Sequence, residues 1–510
     1  MGRNEEDLSA NLIDPELPPV GDEFTKGELQ PTRCNDAWAA VLFYGNVIAI
    51  AAVAGALGVP AIQSYNNSND HSFGKEVVDG GNSNIDYEGI IYGAWGRAEK
   101  PGIFGYEIRG GDRPNLDPGV GCIFGRDANS FPCPKILIQI SVLFSLVLSG
   151  LMAAVSFFYG QIWGGIFGII FFLLSLCYTY YVWRRIPFAA ANLNTGLTAV
   201  KANSGVVVMS YVLVAASFCY MILWMVALVG VYDKLNLITT DAQGNVQVTG
   251  DQLNWGYFFL LLVALFWSEQ VFQNTIHATI AGVVSTWWFV PEEANSCCSK
   301  GIWGSFIRST TTSFGSICFG SLLVAIIKAL RVMVESARSD SEGGCAAFLL
   351  CLVECLLRCL EGILEYFNKF AYIYVGMYGY SYLEAGKNVM TLFQQKGWTV
   401  IINDDLVSNV LFLFVLIIGG LTGCVGLVLN EINPLWFQGY GGSPMAIAFG
   451  FMFLVGLIIA SITMSVVDSA VNTVIVAFAE GPAEFEENHP ELSHQMKEGW
   501  RKVYPDECGF

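Results

Sequence analysis

The sequence predicts an all-α protein, a polytopic transmembrane helical bundle of nine to ten spans, and three observations predict it. Of 510 residues, 54% are hydrophobic and only 14% charged, against about a quarter charged in an ordinary soluble domain. Mean hydropathy is +0.49, and a soluble fold of this length needs more polar surface to cover its core. The apolar residues also fall in blocks long enough to cross hydrocarbon, which takes roughly 20 helical residues at about 1.5 Å each.

Residues 1–35 carry eight acids against three basic residues and read as a solvated, weakly ordered acidic tail. No signal peptide precedes the first apolar block, so the 36–60 helix is expected to direct insertion itself. Residues 61–134 form a large polar loop rich in Gly, Asn and Asp. Within it, Asn66 opens the sequon Asn66-Asn67-Ser68, a glycosylation candidate that also arises by chance. Cys122 and Cys133 flank a polar stretch and would pair as a disulfide if that loop faces an oxidising compartment. The helical bundle, 135–480, holds spans at 136–159, 162–183, 205–231, 252–290, 314–335, 345–380, 407–429 and 444–480. Two of these, 252–290 and 444–480, exceed one simple crossing and are expected to leave the membrane as amphipathic or broken continuations. The 345–380 block is mixed, since it runs through Glu361, Glu365 and Lys369. Small residues in GGLTGCVG, 419–426, predict close helix contact. Residues 481–510 form a second acidic, solvated tail. The net charge of −18 argues against nucleic acid, which requires a basic footprint.

Orientation follows basic residues in short connections. Arg184, Arg185 and Lys201 place 184–204 in the cytoplasm, and Lys300 and Arg308 place 291–313 there too. Nine spans then put 61–134 inside and the N-terminus outside.

No metal site or cofactor motif is apparent, and no hydrolase or nucleotide-binding pattern, so an enzyme is not expected. Cys351, Cys355 and Cys359 lie at i, i+4, i+8 without histidine nearby and read as apolar thiols or acylation sites. The informative stretch is FWSEQVFQNTIHATIAGVVSTWWF, 266–289. On a helix Trp267, Gln270, Asn274 and His277 share one face, with Glu269 and Gln273 on the adjoining stripe. Polar groups at this density in an apolar span should face a bundle interior or wet cavity; interhelical hydrogen bonding is the alternative. An acid beside aromatic rings suits an organic cation, because a quaternary ammonium group cannot donate a hydrogen bond and is held by ring faces and negative field. Further along, Tyr380 is an aromatic candidate, and Glu384 and Lys387 fall where they would pair within one helix. Asp468 and Asn472 sit one turn apart, suiting a gate or an anchor to neighbouring helices.

Several blocks carry a resemblance: RRIPF (184–188), NTIHATIAGVVSTWWF (274–289), TTTSFGSICFGSLLVAIIKALR (310–331), LRCLEGILEYFNKFAYIYVGMYGYSYLEAGKNVM (357–390) and VVDSAVNTVIVAFAE (466–480). Over roughly 135–485 the chain resembles the choline transporter-like family, with RRIPF and the C-terminal block most similar to its fungal and protist branch. The resemblance implies about ten spans, both termini in the cytoplasm and the large loop outside. It further implies a plasma-membrane carrier, or one of an organelle membrane, with choline or a similar amine as substrate and the lipid bilayer as surroundings. Family members place an acidic or polar residue shortly after a span Trp; Trp267 matches, Gln270 aligns with that position, and Glu269 lies one residue earlier. The expected site is therefore Trp267, Glu269 or Gln270, Asn274 and His277 with Tyr380, serving secondary transport driven by a gradient, the membrane potential or proton exchange. A non-transporting scaffold or accessory subunit is the alternative. Oligomeric state is not legible.

Overall fold

The structure, a computed structural model, describes residues 27–64, 134–234, 238–240, 246–248, 255–339, 345–395, 406–433, 437 and 443–504. Asn66, Cys122 and Cys133 lie outside the described residues. The helices are α1 (Ala37–Val53, continued by a π-helical stretch Ala54–Gly58), α2 (Pro134–Phe158), α3 (Ile162–Val182), α4 (Ile186–Ala202) and α5 (Gly205–Lys234). A two-stranded hairpin, Ile238–Thr240 against Val246–Val248, separates α5 from α6 (Trp255–Phe289). There follow α7 (Lys300–Thr310), α8 (Phe314–Ser339), α9 (Cys345–Tyr378), α10 (Tyr382–Gln395), α11 (Leu406–Ile432), α12 (Pro444–Glu480), α13 (Pro482–Asn488) and α14 (Pro490–Val503).

Among the described residues, eight helices are long and apolar enough to cross a bilayer. Their outward surfaces carry large exposed apolar side chains such as Phe144, Val147, Phe167, Phe171, Phe412 and Phe451. Such a surface is stable against lipid tails and unstable against water. The chain is an integral, multi-pass membrane protein. α9 is a further long helix, antiparallel to α8, and it carries more charge than the eight. Its carboxylates are answered by bases of α8: Arg338 to Glu354 at 3.0 Å, Arg331 to Glu361 at 2.8 Å and Lys328 to Glu365 at 3.0 Å. Charged groups in an apolar setting persist when paired in this way.

One end of the bundle, here the near face, gathers the short helices α4, α7, α10, α13 and α14. Ser299 caps α7 by accepting from the Ile302 N–H at 3.3 Å, and Asn203 ties the end of α4 to the α6–α7 connection by donating to Ala294 O at 2.8 Å. Gly379, with φ +80°, turns the chain between α9 and α10 in a conformation side-chain-bearing residues avoid. The other end is the far face. α11 and α12 pack closely where Gly426 meets the Ala448 carbonyl and Gly423 meets the Phe449 ring, the contact that the small residues of 419–426 predicted.

Four sequence expectations change. α6 and α12 are single unbroken helices of 35 and 37 residues. Their extra length is neither broken nor amphipathic. It lies in a packed near-face core with Val283, Val284, Trp287 and Trp288 from α6 and Val466 to Ala479 from α12. Much of 481–510 is no solvated tail: α13 and α14 bury Phe485, Met496 and Trp500 completely. Trp500 donates to Asn192 Oδ1 at 2.8 Å and packs between Phe188 and Phe478 at 4.9 and 4.8 Å. Residues 27–36 are exposed along much of their length but pinned by hydrogen bonds to the bundle. The termini also do not separate, as the count of nine spans required. Asn35 N–H donates to Thr312 O at 3.2 Å and Gly27 N–H to Glu480 Oε2 at 3.4 Å, so the segment entering α1 shares the near face with the end of α12. α1 runs from there to the far face, where Gly58 lies against Val226 and Gly230 of α5. α2, by contrast, begins at the near face, where Ile138 joins the core of Phe188 and Leu193.

Candidate functional site

Partway along the long helices, a cavity of about 590 Å³ lies between α5, α6, α8, α9 and α12. Its wall is polar in a region where the outer surface is apolar. α6 contributes Gln270, Gln273, Asn274 and His277; α8 contributes Lys328; α9 contributes Glu365, Asn368 and Lys369; α12 contributes Ser461, Ser465, Asp468 and Ser469. The α6 set follows from helical spacing, since positions 270, 273, 274 and 277 share one face. No Phe, Tyr or Trp is among the described lining residues.

The charges are arranged unequally. Lys328 is neutralised by Glu365 at 3.0 Å and Glu361 at 3.9 Å, and Glu361 is held in turn by Arg331. Lys369 and Asp468 form no ion pair among the described residues. The Lys369 ammonium lies 5.9 Å from the Phe370 ring centroid. Asp468 accepts from Ser408 Oγ of α11 at 2.9 Å and from Asn472 Nδ2 at 3.0 Å. Between these two charges sits His277, with Nδ1 2.8 Å from Ser469 Oγ and Nε2 2.7 Å from the Lys369 carbonyl. The carbonyl can only accept, so Nε2 carries the proton and Nδ1 accepts from Ser469 when the ring is neutral. The cavity wall thus carries one charge of each sign with no ion pair among the described residues, together with an imidazole and several hydroxyl and amide groups.

Gln273, Glu365, Ser461 and Ser465 are exposed and open the cavity, whereas its near-face side is closed. There Ala281, Val284, Trp288, Tyr372, Val375, Val474 and Phe478 are all buried in one core. From His277 to Trp288 this layer extends about 16 Å at roughly 1.5 Å per residue.

The structure brings some expected residues together and separates others. Gln270, Asn274, His277 and Asp468 line the cavity, and Asn274 is fixed by donating to Ser321 Oγ at 2.9 Å. Asn472 lies next to it, bonded to Asp468. Trp267 does not reach the cavity: it packs edge-on to Phe43 at 5.4 Å and donates to Cys318 O at 2.9 Å. Glu269 lies off the wall and accepts from Gln273 Nε2 at 3.4 Å. Tyr380 is at the near face, its hydroxyl accepting from Glu28 N–H at 3.1 Å. Glu384 and Lys387 are exposed on α10 and make no ion pair among the described residues, contrary to the expected pairing; Glu384 instead accepts from Ser381 Oγ at 3.4 Å near the start of its helix. No cluster that could hold a metal occurs among the described residues.

Sequence reasoning did not select Lys328, Glu365 and Lys369 for the site. Their signal was present, because a lysine inside TTTSFGSICFGSLLVAIIKALR and charges in the mixed 345–380 block are costly in a span. What the sequence lacked was the antiparallel alignment that sets α8 against α9.

Comparison with known proteins agrees with the earlier resemblance. The family model described as plasma-membrane choline transporter matches residues 166–483. The fungal Protein PNS1 of Saccharomyces cerevisiae is 31% identical over 390 residues, covering 73% of this chain and 70% of that protein. Protein PNS1 of Mycosarcoma maydis is 30% identical over 379 residues, covering 72% and 69%. Protein PNS1 of Eremothecium gossypii is 28% identical over 384 residues, covering 73% and 68%.

Proposed function

The chain belongs to the plasma-membrane choline transporter family, and from that premise we propose that it carries choline or a related small organic cation through the cavity between α6, α8, α9 and α12. The observation that carries this reading is Asp468. It is a carboxylate without an ion-pair partner among the described residues, on the wall of a cavity rich in polar side chains among the long apolar helices. A charge held there is expensive and marks a solute path by default. Asp468, rather than Glu269, is in position to balance an arriving cation. Lys369 on the same wall supplies a counter-charge to Asp468, a role that an arriving ammonium group would take over. The His277–Ser469 pair lies between them and offers a place for a proton exchanged against the solute. A cation gains about 2.3 kcal/mol per 100 mV of inside-negative potential, which is sufficient to drive uptake without a nucleotide. The amides and serines of the wall favour solutes with hydroxyl or amine groups to bond to them.

The scaffold alternative expects 266–277 to be dry and internally bonded. Asn274 and His277 are hydrogen-bonded within the bundle, as a scaffold also requires, and the cavity does not reach Trp267. The exposed Gln273, Glu365, Ser461 and Ser465 at its mouth are what support the carrier. The test is uptake of radiolabelled choline and ethanolamine into proteoliposomes under an inside-negative potential. Asp468→Asn is expected to reduce uptake at least about tenfold, whereas Glu269→Gln retains most of it. Unchanged uptake by Asp468→Asn would remove the proposed site. Failure of the unsubstituted protein to take up any amine would count against the carrier reading itself.

A further inference from the structure

Residues 27–36 run along the near face as a strap, and its fastening is extensive. Gln30 N–H donates to Tyr378 O at 2.9 Å, Asn35 Nδ2 to Gly379 O at 2.7 Å and Asn35 N–H to Thr312 O at 3.2 Å. The Asp36 carboxylate accepts from Ser316 Oγ at 2.7 Å and from the Tyr382 N–H at 3.1 Å. Asp36 holds φ +51°, a left-handed conformation that a non-glycine residue keeps only when its surroundings impose it. Gly315 makes the seat possible, because a Cβ there would collide with the Asn35 and Asp36 carbonyl oxygens. One strap thereby joins the starts of α1, α8 and α10 to the ends of α9 and α12.

Beneath the first residues of the strap lies a feature the mid-bundle cavity does not use. Tyr374, Tyr378 and Tyr380 form a mutual cluster, with ring centroids 5.3, 6.1 and 6.3 Å apart. The Glu480 carboxylate, only 8% exposed, accepts from the Tyr374 hydroxyl. The Tyr378 hydroxyl is buried beside the same Glu480 carboxylate. The strap meets this cluster with backbone amides: Gly27 N–H points to Glu480 and Glu28 N–H to the Tyr380 hydroxyl, while Gly27 lies against the Tyr378 ring. Positive ends of peptide dipoles therefore occupy the position where ring faces and a carboxylate would receive an organic cation. Glu480 stands twelve residues beyond Asp468 on the same helix, about 18 Å nearer the near face at roughly 1.5 Å per residue and about a third of a turn around the axis.

We infer that Tyr374, Tyr378, Tyr380 and Glu480 form a second, near-face site for an organic ammonium group, and that the 27–36 strap is the plug that occupies it. This rests on the carrier reading for its place on the path, with Asp468 as the deeper site and the tyrosine cluster as the near-face one. Strap and cation compete for the same rings and carboxylate, so the site is reached only when the strap lifts. Lifting also frees the α1–α8–α10 junction, which ties near-face opening to the exchange of strap for solute.

Equilibrium binding of radiolabelled tetramethylammonium to the full-length protein in nanodiscs tests this without requiring transport. Asp36→Ala and Gly315→Ala each loosen the strap by a different route, and tryptic cleavage after the exposed Arg33 reports its release. Faster cleavage together with binding about tenfold tighter than in the unsubstituted protein is the expected result. That gain should disappear with Glu480→Gln added and persist with Asp468→Asn added. Faster cleavage without tighter binding, or a gain that survives Glu480→Gln, overturns the site. Cleavage unchanged in both loosened variants overturns the strap. Failure of uptake in proteoliposomes with this binding intact would instead fault the carrier reading.

Discussion

Asp468 and Glu269 show how a residue's neighbours, more than its type, decide what it does. Both are acids in long apolar helices, yet Asp468 lines a polar cavity with hydroxyl and amide donors around it, while Glu269 meets only Gln273 of its own helix. Trp267 makes the same point from the apolar side. Its ring joins α6 to α1 through Phe43 and to α8 through Cys318 O, so it fills a helix junction. Trp267→Ala should therefore lower stability by about 3–5 kcal/mol through cavity formation, measured by thermal or denaturant unfolding in detergent. The folded fraction should keep its affinity for the transported amine, and a selective loss of affinity with unchanged stability would contradict this assignment.

The α8–α9 pair depends on its ion pairs, because each helix alone carries charges that a bilayer rejects. Glu361 is held by Arg331 at 2.8 Å and Lys328 at 3.9 Å, with side chains 13, 25 and 17% exposed. Removing one partner from such a set leaves an uncompensated charge. A double-mutant cycle on Arg331→Ala and Glu361→Ala should give a coupling of about 1–3 kcal/mol; independent effects would mean that the ladder contributes no cohesion. The α13–α14 junction behaves differently. His489 stacks on Trp287 at 4.1 Å and its Nε2 lies 3.1 Å from the Trp287 carbonyl. Burial holds this imidazole below its ordinary value of 6.5, partly countered by that hydrogen bond. The unfolded chain therefore takes up a proton first as pH falls. The contribution to stability is intact above about pH 6.5 and declines below it. Melting of the detergent-solubilised protein should fall between pH 7.5 and 5.5, and the fall should shrink in His489→Phe.

At the scale of the whole molecule, the near face is the organising end: five short helices and the 27–36 segment meet there. Both described ends of the chain lie on it, so terminal tags should be digested together in vesicles of one orientation and protected together in the other. Digestion of one tag alone would refute the arrangement. The sequence by itself determined the bundle, the positions of its long apolar helices, the α6 face carrying Gln270, Asn274 and His277, and the family. Block length and the helical period are local quantities that need no partner to be read. Only the tertiary structure decided that Asp468 and Lys369 share a cavity with that face while Trp267 and Tyr380 do not. It also decided that Glu361 and Glu365 are answered from α8, and that residues 481–504 fold back around Trp500. Each of these depends on which helix faces which across large sequence separations. A charge in a span shows that it must have a partner, and the packing alone shows what that partner is.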